Sequence, residues 1–302
     1  MNTVTRALKT LALALGAWVA LAAAPAAAAP DEIQDGIAVR PMSRLRVLVS
    51  EQQLEQQAAL QYTGLLRQAQ QKNALVPDGH AQVIRLRTIA KRLIPFAARW
   101  NPDAANWRWE VNLLASPQVN AFCMPGGRIA FFSGIISKLK LTDDEIAAVM
   151  GHEISHALRE HGREQQAKST GTSVGLRLLG AGVAAYAGLD PRLTDYAAST
   201  GAKLAALKFS RDDEREADLI GLDLAARAGF DPRAGIALWQ KMAQLNQQQP
   251  LALLSTHPGG AERITQIEQH LNLLLPLYAR AKGTTPDQLP AYRTVALTPP
   301  HP

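Results

Sequence analysis

Residues 141–162, LTDDEIAAVMGHEISHALREHG, constrain this chain more than any other stretch. Thr142 and Glu145 have the spacing of a capping box, and Asp143 and Asp144 add acids to the first turn, where they suit the helix dipole. Ile146, Ala147, Val149 and Met150 continue an apolar helical run, and Gly162 is placed to end it. The segment is apolar rather than solvated. It nevertheless carries HEISH. His152 and His156 are four apart, share one face and can reach one metal ion, and Glu153 beside them can take a proton from a water there. A solvated helix face with incidental histidines is the competing reading, and the apolar surroundings count against it.

A third ligand would set the subclass. A histidine six residues past His156 would mark the metzincin arrangement, but residue 162 is glycine and residue 159 is arginine. His161 falls one residue short and reads as a cation at the helix C-terminus. A later helix is the other source. In residues 210–221, SRDDEREADLIG, Glu214 and Asp218 are four apart and share a face. One carboxylate could bind a metal while an acid one turn on holds a ligand imidazole. Asp212, Asp213 and Glu216 crowd the same turns, and periodicity does not choose among them.

Composition narrows the class. One cysteine in 302 residues excludes a disulfide framework and any zinc site made mainly of cysteine. Arg6 and Lys9, an apolar run over residues 11–24 and an alanine string read as a secretory signal peptide, residues 1–29, with an uncleaved membrane anchor as the competing reading, so the mature chain is expected to be periplasmic or secreted. Removing it lowers the formal charge from +6 to +4, and the remaining basic residues are scattered, so no nucleic-acid partner is expected. The apolar stretch 178–189 is too short to span a bilayer and reads as a packed helix, so no transmembrane segment is expected in the mature chain.

Helical patterns cover residues 50–72 and 80–100, strand patterns cover 107–114, 118–124 and 128–132, and helical patterns run from 141 to about 275. Residues 283–302 hold five prolines and read as an extended or disordered tail. The expectation is one α+β domain over residues 30–282, mainly helical, with a small sheet on one side.

These motifs together resemble the HtpX, LoiP, BepA and Oma-type family of gluzincin metalloendopeptidases, in its soluble periplasmic branch. The resemblance covers roughly residues 119–267. VNAFCMPGGRIAFFSGII looks like the family's strand–turn–strand, GHEISHALREHG its zinc helix, SRDDEREAD its glutamate helix, and STHP with Arg263 its downstream loop. The resemblance implies one Zn2+ per chain held by His152, His156 and Glu214, with Glu153 as general base and Asp218 behind a ligand imidazole. It implies that Asn120, Ala121 and Phe122 lie on an open strand edge that binds extended peptide. His257 is implied to lie near the metal, as an oxyanion donor, as a fourth ligand that keeps the enzyme latent, or as a loop-ordering residue. The implied activity is cleavage of unfolded or misassembled envelope proteins, with outer-membrane assembly components as partners. The rival is a latent or weakly active zinc-bound chaperone or binding protein. Two positions depart from the family pattern. Gly259 stands where proline is usual, and Cys123, which reads as an inert packed thiol, stands where a small or aliphatic residue is commoner.

Overall fold

The computed structural model describes residues 35–170 and 209–297. The signal-peptide reading and the 178–189 stretch lie outside the described residues. Helix α1, Glu51–Gln71, starts at the side-chain cap of Ser50 and buries Leu54, Ala58, Tyr62 and Ala69. Helix α2, Ala81–Leu93, gives way to a tighter 3-10 turn, Ile94–Arg99, where Pro95 has no N–H to continue the α-helical hydrogen-bond ladder.

Strands β1 (Glu110–Leu114), β2 (Ala121–Met124) and β3 (Arg128–Phe132) form one sheet in the order β1-β3-β2. β2 and β3 pair antiparallel around Pro125-Gly126-Gly127, where both glycines take positive φ, a conformation that costs other residues strain. β1 pairs parallel with β3, with Leu114 opposite Phe132. Both faces of the sheet are covered. Ala130, Phe132, Phe122 and Met124 pack with Tyr62 and Ala58 of α1, and Ile129, Phe131, Val111 and Leu113 face the main core. Tyr62 ties the layers by donating its hydroxyl to the Ile129 carbonyl at 2.5 Å.

Helix α3 (Ser133–Lys138) leads into α4, Asp143–Leu158, the helix that carries the histidine motif. Its capping box forms, with Thr142 and Glu145 satisfying each other's backbone N–H groups, and almost every residue is buried. α4 ends at Leu158 and not at Gly162, because Glu160 turns to a left-handed φ of 54°. His161 therefore opens the next helix, α5 (His161–Thr170), and is no C-terminal cation of α4.

Helix α6, Arg211–Arg227, crosses α4 at two glycines. A Cβ on Gly151 would sit 2.5 Å from the Gly221 carbonyl oxygen, and one on Gly221 would sit 2.5 Å from the His152 nitrogen. Only paired glycines permit this approach, and it brings the carboxylates of α6 onto the histidine face of α4. Helices α7 (Ala234–Gln248), α8 (Ala252–Thr256) and α9 (Ala261–Ala281) complete the core. Residues 283–297, with one 3-10 turn at Pro286–Gln288, are docked: Tyr292 hydrogen-bonds Thr142, Arg233 donates to the Pro290 carbonyl, and Leu297 packs on the core. The fold is α+β and mainly helical. Among the described residues, no helix is long and apolar enough to cross a membrane.

Candidate metal centre

α4 and α6, together with the residue that follows α8, bring four donors to one point. Ligand atoms of His152, His156, Glu214 and His257 all lie within 4.8 Å of one another. His152 Nε2 is 3.1 Å from His156 Nε2 and 3.3 Å from His257 Nδ1. Glu214 lies 3.5 Å from each of the first two nitrogens and 3.0 Å from the third. Four ligands with bonds of about 2.0–2.1 Å at tetrahedral angles would stand about 3.3 Å apart. The donor set therefore fits a tetrahedral cation, and imidazole with carboxylate is the chemistry of a transition metal more than of calcium or magnesium.

The groups behind the donors are fully engaged. His152 Nδ1 meets Asp218 Oδ1 at 3.1 Å. Arg263, buried on the face of Trp239, donates to both Asp218 oxygens at 2.5 Å and to Glu214 Oε2 at 2.6 Å. Burial opposes ionisation of Asp218, but Arg263 and His152 overcome it and hold the carboxyl down at about 2. Burial likewise opposes ionisation of Glu214, and His257, His152 and Arg263 hold its carboxyl below the usual range. Burial, reinforced by the neighbouring imidazoles, pushes His156 well below the normal histidine range, so it stays neutral as a ligand must. Its ring stacks on Phe209 at 3.9 Å between centroids.

Glu153 is buried and lies 3.8 Å from His257 Nε2, outside the donor cluster but beside it. Burial raises its carboxyl toward the range of a working base. The edge strand β2 runs next to α4. Its partner β3 takes one side, and among the described residues the other side is unpaired. The Ala121 N–H is held by the Asn120 side-chain oxygen at 3.0 Å, while Phe122 turns into the α1 layer. Cys123 lines an apolar recess with Met124, Trp107 and Phe209 beside His156, and burial keeps its thiol protonated by pushing its pKa far up.

The structure thus places His152, His156, Glu214, His257 and Glu153 together, with Asp218 directly behind and Phe122, Cys123 and Met124 of β2 lining the recess at His156. Among the crowded acids of α6, Asp212 is exposed and salt-bridged to Arg215, while Asp213 and Glu216 face arginines. Sequence reasoning assigned no role at the centre to three contributors. Phe209 precedes the helix cap, Arg263 was visible only as part of a motif, and His161 depends on a helix break that spacing does not reveal.

The peptidase family M48 model matches residues 81–271, which contain all five of these residues. The mitochondrial metalloendopeptidase OMA1 of Schizosaccharomyces pombe is 34% identical over 199 residues, covering 65% of this chain and 55% of that protein. The metalloprotease LoiP of Escherichia coli is 28% identical over 201 residues, covering 67% and 75%. The beta-barrel assembly-enhancing protease of Yersinia pestis is 30% identical over 204 residues, covering 63% and 39%. This chain spans about half the length of the OMA1 protein from Schizosaccharomyces pombe.

Proposed function

This chain belongs to peptidase family M48, and on that premise we propose that it is a zinc-dependent endopeptidase acting on unfolded or misassembled proteins of the cell envelope. The observation that carries the reading is the set of donor separations close to a tetrahedral edge, with a buried carboxylate beside it. His152, His156 and Glu214 would hold the metal. Bound zinc supplies a Lewis acid that polarises the scissile carbonyl and acidifies water. Glu153 takes the proton of the attacking water and returns it to the leaving amine, a role suited to a carboxylate whose proton affinity burial has raised. Asp218 and Arg263 keep His152 and Glu214 in orientation.

An extended peptide would add to the open edge of β2, exchanging the Asn120 side chain for its own carbonyl at the Ala121 N–H. Such pairing reads backbone more than side chains, which suits unfolded substrates. The signal-peptide reading supports a periplasmic location. The relative named for β-barrel assembly supports outer-membrane assembly components as partners. Zinc-restored cleavage of unfolded casein after chelator treatment, with folded casein-sized globular proteins spared, is the expected result. Equal rates on folded and unfolded substrates would contradict the quality-control role.

One observation favours a resting state that cleaves little. His257 Nδ1 stands at ligand distance from His152 and Glu214, where it would close the fourth position that a catalytic zinc leaves open. The loop after it, Pro258-Gly259-Gly260, would let it withdraw. His257→Ala is then expected to raise casein cleavage. A fall would assign His257 to oxyanion stabilisation, and no change would make it a loop-ordering residue.

A further inference from the structure

The two ligand histidines are backed in different ways. Behind His152 stands a carboxylate, Asp218. Behind His156 stands another histidine: His156 Nδ1 and His161 Nδ1 are 3.0 Å apart, and His161 is only 2% exposed. Resting on the metal-centre reading above, we propose that His161 is a positioning residue that holds His156 in the tautomer able to bind the metal.

A neutral imidazole has one donor nitrogen and one acceptor. Between His156 and His161, therefore, one Nδ1 carries the hydrogen and the other accepts it. Among the described residues, the far nitrogen of His161, Nε2, faces two acceptors: Asp213 Oδ1 and Glu216 Oε2, each at 3.9 Å. Both carboxylates are held as anions. Arg40 bonds both, Arg159 bonds Glu216, and the second oxygen of Asp213 accepts the Ser210 N–H in the cap of α6. Two anions facing one nitrogen favour its N–H form, so the neutral ring of His161 carries its hydrogen on Nε2. Its Nδ1 is then an acceptor, and His156 must donate from Nδ1. That leaves the lone pair of His156 Nε2 pointing at His152, Glu214 and His257, where a cation fits.

The reverse tautomer fails at both ends. It would aim an N–H of His156 at the metal position and set a lone pair of His161 against two carboxylates. The Phe209 ring stacked on His156 limits rotation that could relieve the conflict. The chain thus extends from the metal position through His156 and His161 to Asp213 and Glu216, and on to Arg40 in the segment before α1. Loss of a group that orients a metal ligand commonly costs about 10–100-fold in metal affinity.

Two measurements test this. Long-range 1H–15N NMR of the zinc-loaded full chain reads the tautomers directly, with hydrogen expected on Nδ1 of His156 and on Nε2 of His161. Hydrogen on Nδ1 of His161 overturns the proposal. Zinc affinity by chelator competition and the visible spectrum of the cobalt-loaded protein are then compared for His161→Asn, which keeps an acceptor, and His161→Leu, its near-isostere without one. Asn is expected to bind within a few-fold of the parent, and Leu to bind about 10–100-fold more weakly with an altered cobalt spectrum. Equal affinity of the two variants overturns the proposal. His161→Phe replaces Leu in the comparison if the metal-free Leu variant melts early. A parent chain that binds no zinc would instead refute the metal-centre reading.

Discussion

Asp218 shows how one residue can serve the centre and the fold together. Its carboxyl is held at about 2 because Arg263 and His152 outweigh the penalty of burial, whereas an unfolded aspartate ionises near about 3.9. A depressed carboxyl contributes stability that is fully present above the unfolded pKa and is lost as pH falls through the folded one. Urea unfolding of the metal-free chain should therefore lose about 2 kcal/mol between pH 5 and pH 2 from this group. Asp218→Asn should flatten that part of the profile, and an unchanged slope would contradict the assignment. At this scale HEISH was legible because two histidines and a glutamate at fixed helical spacing have one economical chemical use. Periodicity alone does not choose Glu214 over Asp213 and Glu216; only the family resemblance points to it. All three stand on neighbouring turns of one helix, and only the crossing with α4 decides which meets the histidines. His161 was read as a helix-end cation because its partnership with His156 follows from the left-handed Glu160, which no spacing announces.

That crossing is the critical contact between elements. α4 and α6 approach until Gly151 and Gly221 leave no room for a methyl group on either. The same approach sets the distance between the histidines and Glu214. Gly221→Ala should therefore cost about 1–3 kcal/mol through overpacking. It should also weaken metal binding, since Glu214 would be carried outward with α6. Denaturant unfolding and chelator competition check the two effects together, and loss of stability with unchanged metal affinity would separate the crossing from the centre. Helices and strands were readable from periodicity, and the hairpin from its glycines. The parallel pairing of β1 with β3 was not, because strand order depends on which faces α1 and α4 cover and not on any local pattern.

In the whole molecule, the centre is braced from both ends of the described chain. Arg40, before α1, reaches Asp213 and Glu216. Past residue 283, Tyr292 and Thr294 reach the capping box of α4, where Glu145 is fully buried and paired with Lys241 at 2.7 Å. Proline content reads as an extended or disordered tail, and over residues 283–297 Pro286 and Pro290 suit a docked strap that needs few backbone hydrogen bonds of its own. A chain ending at residue 282 would uncover Glu145 and lose the packing of Leu289 and Leu297. Its melting temperature should fall by several degrees, and an unchanged melt would show that the strap holds nothing. The central claim is that Glu153 performs chemistry at a metal it does not bind. Zinc content and unfolded-casein cleavage, measured side by side for the parent and Glu153→Gln, test it most directly. The account predicts one zinc per chain in both proteins, with cleavage lost only in the variant. Cleavage that survives the substitution would contradict it.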